Sequence, residues 1–220
     1  MKFIKTYLFF LALLISAGVN SQNTKHSVTS AKIVYRVTLI TEKGVNNKPL
    51  DYTLYLKKDM SRVEMESEKG KMVMISDNLG KSGYTLMDNS GQKIAMKMNM
   101  SKMMAKNGNL SEPKVVITRE SKVIAGYTCY KAIVTSQTKE GERVYDVWFT
   151  NDIKGNYSYE TNINGLNGLM MEFESERDGK TYKMVAVNVE PDDSISDELF
   201  KVPSDYQIID MSNFQGGRKR

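Results

Sequence analysis

Leu54-Tyr55-Leu56-Lys57-Lys58-Asp59-Met60-Ser61-Arg62-Val63-Glu64-Met65 alternates apolar and polar residues on both sides of a Lys58-Asp59 break. A period of two belongs to a strand that turns one face to a core and the other to water. Two such runs about a short polar turn predict a hairpin. Tyr52, Leu54, Leu56, Val63 and Met65 share its apolar face, with Thr53, Tyr55, Arg62, Glu64 and Glu66 on the wet one. The pattern repeats in both directions. Ile33–Ile40 is β-branched and aromatic and predicts the first strand, followed by a loop over Gly44–Pro49. Met72–Ile75 is apolar on both faces, as in an interior strand, and Gly83–Met87 and Gln92–Met98 pair across Asp88-Asn89-Ser90-Gly91.

Further strands are predicted at Val115–Thr118, Tyr127–Thr135 and Arg143–Thr150, with a long Gly- and Asn-rich flexible connection over Gly155–Gly168. Leu169–Glu174 and Val185–Val189 flank Asp178-Gly179, a strong hairpin signal. Helix formers gather only at Met100–Lys106, ending at Asn107-Gly108, and at Ser194–Phe200, capped by Ser194 or Ser196 and stopped before Pro203. Ten or eleven strands, each with one apolar face, have few helices to cover them. The expected fold is therefore mainly β: a single antiparallel sheet curled into an unclosed half-barrel, with one or two short helices as a lid.

Lys2 and Lys5 precede the apolar run Tyr7–Ile15 and the small residues Ser16–Ser21, the pattern of a secretory signal peptide cleaved before Gln22. The expected organisation is a signal peptide at 1–21, a flexible N-terminus at 22–31, one domain at 32–210 and a basic tail at 211–220. The expected location is the periplasm or the extracellular space. No Cys follows the apolar run, and no later stretch has the length of a transmembrane helix. A net charge of +5, with lysines interleaved among acids, lacks the basic stripe of a nucleic-acid binder.

The lone Cys129 has no disulfide partner and sits in a strand-like run, where an inert buried thiol is expected. One histidine, His26, leaves no Cys-His or Ser-His pair and no multi-histidine metal site. Glu64 with Glu66, and Glu172 with Glu174, have the spacing of paired acids but lie on faces expected to be wet. Phosphate-binding, nucleophile-elbow and metalloprotease motifs are lacking. The inventory points away from an enzyme and implies no cofactor or metal.

Methionine is the compositional anomaly: fifteen in all, ten of them between Met60 and Met104. Thioether chains repack easily and suit ligands of variable shape. The predicted ligand-binding residues are Leu54, Leu56, Val63, Met65, Met74, Leu86, Met96, Met98, Met171 and Phe173, forming a concave face for a lipid, lipopeptide or other apolar molecule. Two alternatives stand beside this. One is a filled barrel acting as a structural or interaction module with a protein of the envelope. The other is Cu(I) held by Met96, Met98 and Met100, which share one strand face.

Three phrases resemble a known group. They are the Leu54–Met65 hairpin, Val123-Ile124-Ala125-Gly126-Tyr127-Thr128-Cys129-Tyr130-Lys131-Ala132, and Leu199-Phe200-Lys201-Val202-Pro203-Ser204-Asp205-Tyr206. Together they are similar to secreted bacterial proteins of unknown function related to periplasmic lipoprotein carriers of the LolA/LppX type. The resemblance covers most of residues 32–210. It implies an unclosed barrel around a helical lid, whose concave apolar face receives lipid chains. Residues 22–31 are too short and polar to supply the lid helix with which such carriers begin.

Overall fold

The computed structural model describes residues 27–211, apart from 42–43, 46–49, 68–69, 78, 80–81, 90, 100–111, 139–140, 156–162, 164 and 178. The expected signal peptide, His26, the expected helix at Met100–Lys106 and most of the basic tail lie outside the described residues.

The strands are β1 (Ser30–Thr41), β2 (Gly44–Val45), β3 (Leu50–Lys57), β4 (Met60–Ser67), β5 (Gly70–Asp77), β6 (Ser82–Asn89) and β7 (Gln92–Asn99). They continue with β8 (Lys114–Ile124), β9 (Tyr127–Thr138), β10 (Gly141–Thr150), β11 (Leu169–Arg177), β12 (Lys180–Pro191) and β13 (Gln207–Asp210). All belong to one sheet, in the order β13-β7-β6-β5-β4-β3-β1-β12-β11-β10-β9-β8, with β2 attached to β1. Every neighbouring pair is antiparallel except β13 on β7. The sheet is not closed into a barrel, as the sequence predicts.

Local chemistry sets the hairpins. Lys57 pairs with Met60 across Lys58-Asp59, and Lys58 adopts a φ of 53°. Ile124 pairs with Tyr127 across Ala125-Gly126, whose φ values of 47° and 83° are both positive. Two central residues with positive φ match the right-handed twist of the strands they join. The Ile-Ala-Gly-Tyr phrase is thus a hairpin turn.

Two apolar clusters follow from the alternation. The larger gathers Ile33, Tyr35, Tyr52, Leu54 and Val63 with Val134, Val147, Phe149, Met171 and Phe173. Val63 and Met65 of β4 line one cavity with Tyr145 of β10, although these strands stand far apart in the sheet order, so this face is concave. The smaller cluster, on the opposite face, packs Val73, Ile75, Leu86 and Ala95 against Ile195 and Phe200. Met74, one residue from Val73, packs on the concave cluster instead. The run Met72–Ile75 is apolar throughout because both of its faces are covered.

The cover of the opposite face is the segment between β12 and β13. A single 3-10 turn, Asp197–Phe200, is capped by Ser196, whose hydroxyl accepts from the Glu198 amide at 3.2 Å. Lys57 Nζ donates to the Ile195 carbonyl at 2.6 Å and pairs with Asp197 at 2.6 Å, Arg62 donates to the Leu199 carbonyl at 2.9 Å, and Lys93 pairs with Asp205 at 2.6 Å. The expected helix at Ser194–Phe200 is therefore shorter than predicted and straps the convex face instead of lidding the concave one. Among the described residues it is the only helical element.

Candidate functional site

A cavity of about 500 Å³ opens on the concave face. Its apolar lining comes from Val37 on β1, Leu50 and Tyr52 on β3, Val63 and Met65 on β4, and Met170, Phe173 and Met184 on β11 and β12. Tyr145 of β10 closes the far wall. The volume falls within the roughly 300–1,000 Å³ of ordinary ligand clefts. Beneath it lies a solid floor. Tyr35 is fully buried, stacks on Tyr52 with ring centroids 4.8 Å apart, meets Phe173 edge-on at 6.1 Å, and donates its hydroxyl to the Met170 carbonyl at 2.8 Å.

The connection from β10 to β11 contributes more than a flexible link. Ile153 and Leu166 are buried in the concave core, Ile163 lines the cavity, and Ile153 bridges to Val28. Gly168 passes close to β10, where an added Cβ would stand 2.5 Å from the Thr150 carbonyl oxygen. The ends of this segment plug one part of the trough and leave the remainder as the cavity.

Polar groups gather at one side. Glu174, Ser175, Glu176 and Tyr182 form the rim. Arg143 reaches across to Glu174 at 3.5 Å and Glu176 at 3.2 Å, while its guanidinium lies 4.9 Å from the centre of the Tyr145 ring. Burial pushes the Tyr145 phenol above its ordinary pKa, against the opposing effects of Ser136 and Arg143. On the convex side Glu172 is held by Lys122 at 2.6 Å and Lys183 at 2.8 Å, and Lys122 lies 4.1 Å over the Trp148 ring. Burial opposes ionisation of Glu172, but hydrogen bonds and charge from the two lysines outweigh it and hold its pKa below the ordinary value.

Cys129 is fully buried, and burial raises its thiol pKa to about 11, so it is the inert thiol the sequence predicts. Among the described residues no three His, Cys, Asp or Glu side chains are placed to hold a metal ion.

Residues 37–162 match a family described as a domain of unknown function, DUF4412. The chain belongs to the DUF4412 family. The matched span includes Val123–Ala132, the phrase from which an uncharacterised family is expected. Among solved structures, this DUF4412 chain is similar to PNGF-II, at 18% identity and a TM-score of 0.53, over 83% of the present chain and 31% of that one. It spans about a third of the length of PNGF-II. MucB in complex with MucA(peri) is similar at 9% identity and a TM-score of 0.45, over 84% and 58% of the two chains. For LprF from Mycobacterium bovis the values are 12%, 0.33, 79% and 90%. No curated protein matches the DUF4412 chain.

The predicted ligand residues of this DUF4412 member fall into four groups. Val63, Met65 and Phe173 line the cavity. Leu54, Leu56 and Met171 are buried in the floor around it, and Met74 packs on the same cluster. Met96 and Met98 are half-buried on β7, in the rows that run through Thr85–Met74–Val63 and Gly83–Ser76–Ser61 to the concave side. Leu86 faces the other way, into the cluster under the C-terminal strap, because Thr85 and not Leu86 is in phase with Met74. Met100, Met103 and Met104 lie outside the described residues. Tyr145, Tyr182, Met170 and Met184, which complete the cavity, have no mark in the sequence beyond ordinary strand alternation.

Proposed function

We propose that this DUF4412 protein is an exported, non-enzymatic binding protein that holds a lipid, lipopeptide or other apolar molecule on the concave face of its half-barrel. The single observation that carries the reading is the cavity of about 500 Å³, with aromatic and aliphatic walls, left open where the sheet curls. A trough filled by side chains would serve a structural module equally well. An apolar hollow with one polar side is instead the usual form of a ligand site. The alternative of a surface acting on an envelope partner has one observation of its own: Val116, Ile117 and Val123 are exposed on the terminal strand β8.

Native mass spectrometry of protein purified from its own host tests the reading. Bound mass of several hundred daltons, removable by organic extraction, is expected. Purified apoprotein is also expected to take up the neutral fluorescent probe N-phenylnaphthylamine. Ser175→Phe, which adds a ring at the cavity rim opposite Tyr182, is expected to abolish uptake while leaving the unfolding midpoint within a few degrees of wild type. A clean apoprotein mass together with no uptake of probe would refute the proposal.

A further inference from the structure

β10 and β11 are neighbours in the sheet, yet their ladder is short. The pairs are Trp148–Glu172, Phe149–Met170 and Thr150–Leu169, with a register slip between Trp148 and Phe149. β10 extends back to Gly141 and β11 forward to Arg177, and over these stretches the two strands share no pairs among the described residues. A β-sheet interior rarely leaves such edges apart without something between them.

The parting leads somewhere. The concave cavity reaches it at Tyr145, Phe173 and Glu174, and a second hollow of about 450 Å³ on the convex side is lined by the same three residues with Val144, Asp146, Trp148, Glu172 and Lys183. The two hollows thus lie against the same three residues where the strands part. The groups along this slit are charged unevenly. Glu172 has two lysines of its own and Asp146 is paired with Lys131 at 2.8 Å. Glu174 and Glu176 share the single Arg143. Taken together these groups balance, but the charged residues that line the concave cavity are Glu174 and Glu176, so its rim carries one carboxylate in excess, at the point where an apolar chain lying in the trough would present its polar end.

The geometry points to the slit between β10 and β11 as a head-group site, and to an amphiphile with an alkyl chain and a cationic, ammonium-type head as its ligand. The chain lies along Val63, Met65, Phe173 and Met184, and the head emerges at the rim beside Glu174 and Glu176, where the spare carboxylate accepts its N–H donors. An anionic head of the same size meets the Glu174 and Glu176 carboxylates and is disfavoured. This assignment rests on the proposed binding of apolar ligands in the cavity and adds to it the charge of the head and the place where it exits.

The test is displacement of N-phenylnaphthylamine by dodecylamine and by laurate, equal in chain length and opposite in charge, at neutral pH and low ionic strength. Dodecylamine is expected to bind roughly fivefold more tightly, the scale of a partly exposed ion pair. In the double variant Glu174→Gln/Glu176→Gln, which leaves Arg143 uncompensated, the preference is expected to reverse in favour of laurate while probe uptake persists. Glu190→Gln, which removes a carboxylate on another part of the surface, is expected to keep the preference. Probe uptake with laurate binding as tightly as dodecylamine, or with the preference unchanged in the double variant, would overturn the head-group site and leave the cavity standing. Failure of the wild-type protein to take up the probe would overturn both.

Discussion

Removing one oxygen from Tyr35 tests how the floor of the trough is held. The Tyr35 hydroxyl is buried and donates to the Met170 carbonyl at 2.8 Å, beside the slip in the β10–β11 ladder. Tyr35→Phe keeps the ring, its stacking on Tyr52 and its edge contact with Phe173, so the packing terms are nearly conserved. What is lost is a buried hydrogen bond, net about 1 kcal/mol, together with part of the cost of leaving a buried carbonyl short of a partner, about 1–3 kcal/mol when complete. A destabilisation of about 2 kcal/mol is expected, which in a domain of this size lowers the melting temperature by about 4–8 °C. Urea unfolding followed by the fluorescence of Trp148, the only tryptophan, reads this directly. The midpoint should fall with no change in slope, because the surface exposed on unfolding is the same. Tyr130→Phe, at a ring 41% exposed, is the control and should stay within about 0.5 kcal/mol of wild type. If the two variants unfolded alike, the Tyr35 hydroxyl would not be what pins Met170.

Cys129 is expected to resist alkylation by iodoacetamide at mildly alkaline pH in the folded protein and to react fully in urea, since its thiol has a pKa of about 11 and is fully buried; rapid labelling of the native state would contradict that placement. Glu172 bears on acid stability. Its pKa is lowered on folding from 4.5, so its contribution is fully present above the unfolded pKa and disappears as pH falls through the folded one. Glu172→Gln should thus be less stable than wild type at neutral pH, and the gap should narrow below about pH 4. A gap that stayed constant with pH would show that the Lys122 and Lys183 contacts matter by geometry and not by charge.

The hairpins were legible because each is decided within a dozen residues. Lys58-Asp59 and Gly179 mark turns and alternation assigns faces on either side, whereas Ala125-Gly126 shows itself as a turn only in the structure. The unclosed sheet followed from counting strands against helices. Leu86 shows where this method stops. Alternation tells which residues share a face, but not that β5–β7 have apolar cover on both sides, which depends on a segment more than a hundred residues later crossing behind them. The slit was invisible for a related reason. Nothing in Arg143–Val147 or Phe173–Arg177 departs from strand patterning, and the sequence carries no sign of the register slip at Trp148 beyond which the two strands cease to pair. Phe173 of β11 was named, but Tyr145, Met170, Tyr182 and Met184 were missed because they become neighbours of Val63 and Met65 only when the sheet curls.

β1 lies in the middle of the sheet, with β3 on one side and β12 on the other. Ser30–Val37 pairs with Leu50–Lys57 almost at once as the chain is made, but Ala31–Ile40 pairs with residues 181–191. The meander from β3 to β7 can assemble early from contacts close in sequence, while one edge of β1 waits for a partner some hundred and fifty residues away, beyond four further strands. Long loop closure before reward makes such pairings slow. A chain interrupted before Pro191 presents a bare, apolar strand edge at what should be its centre, the kind of surface on which unfinished chains join one another. The order of the strands therefore sets a timetable as well as a shape: this protein is exposed to self-association until its last fifth has arrived.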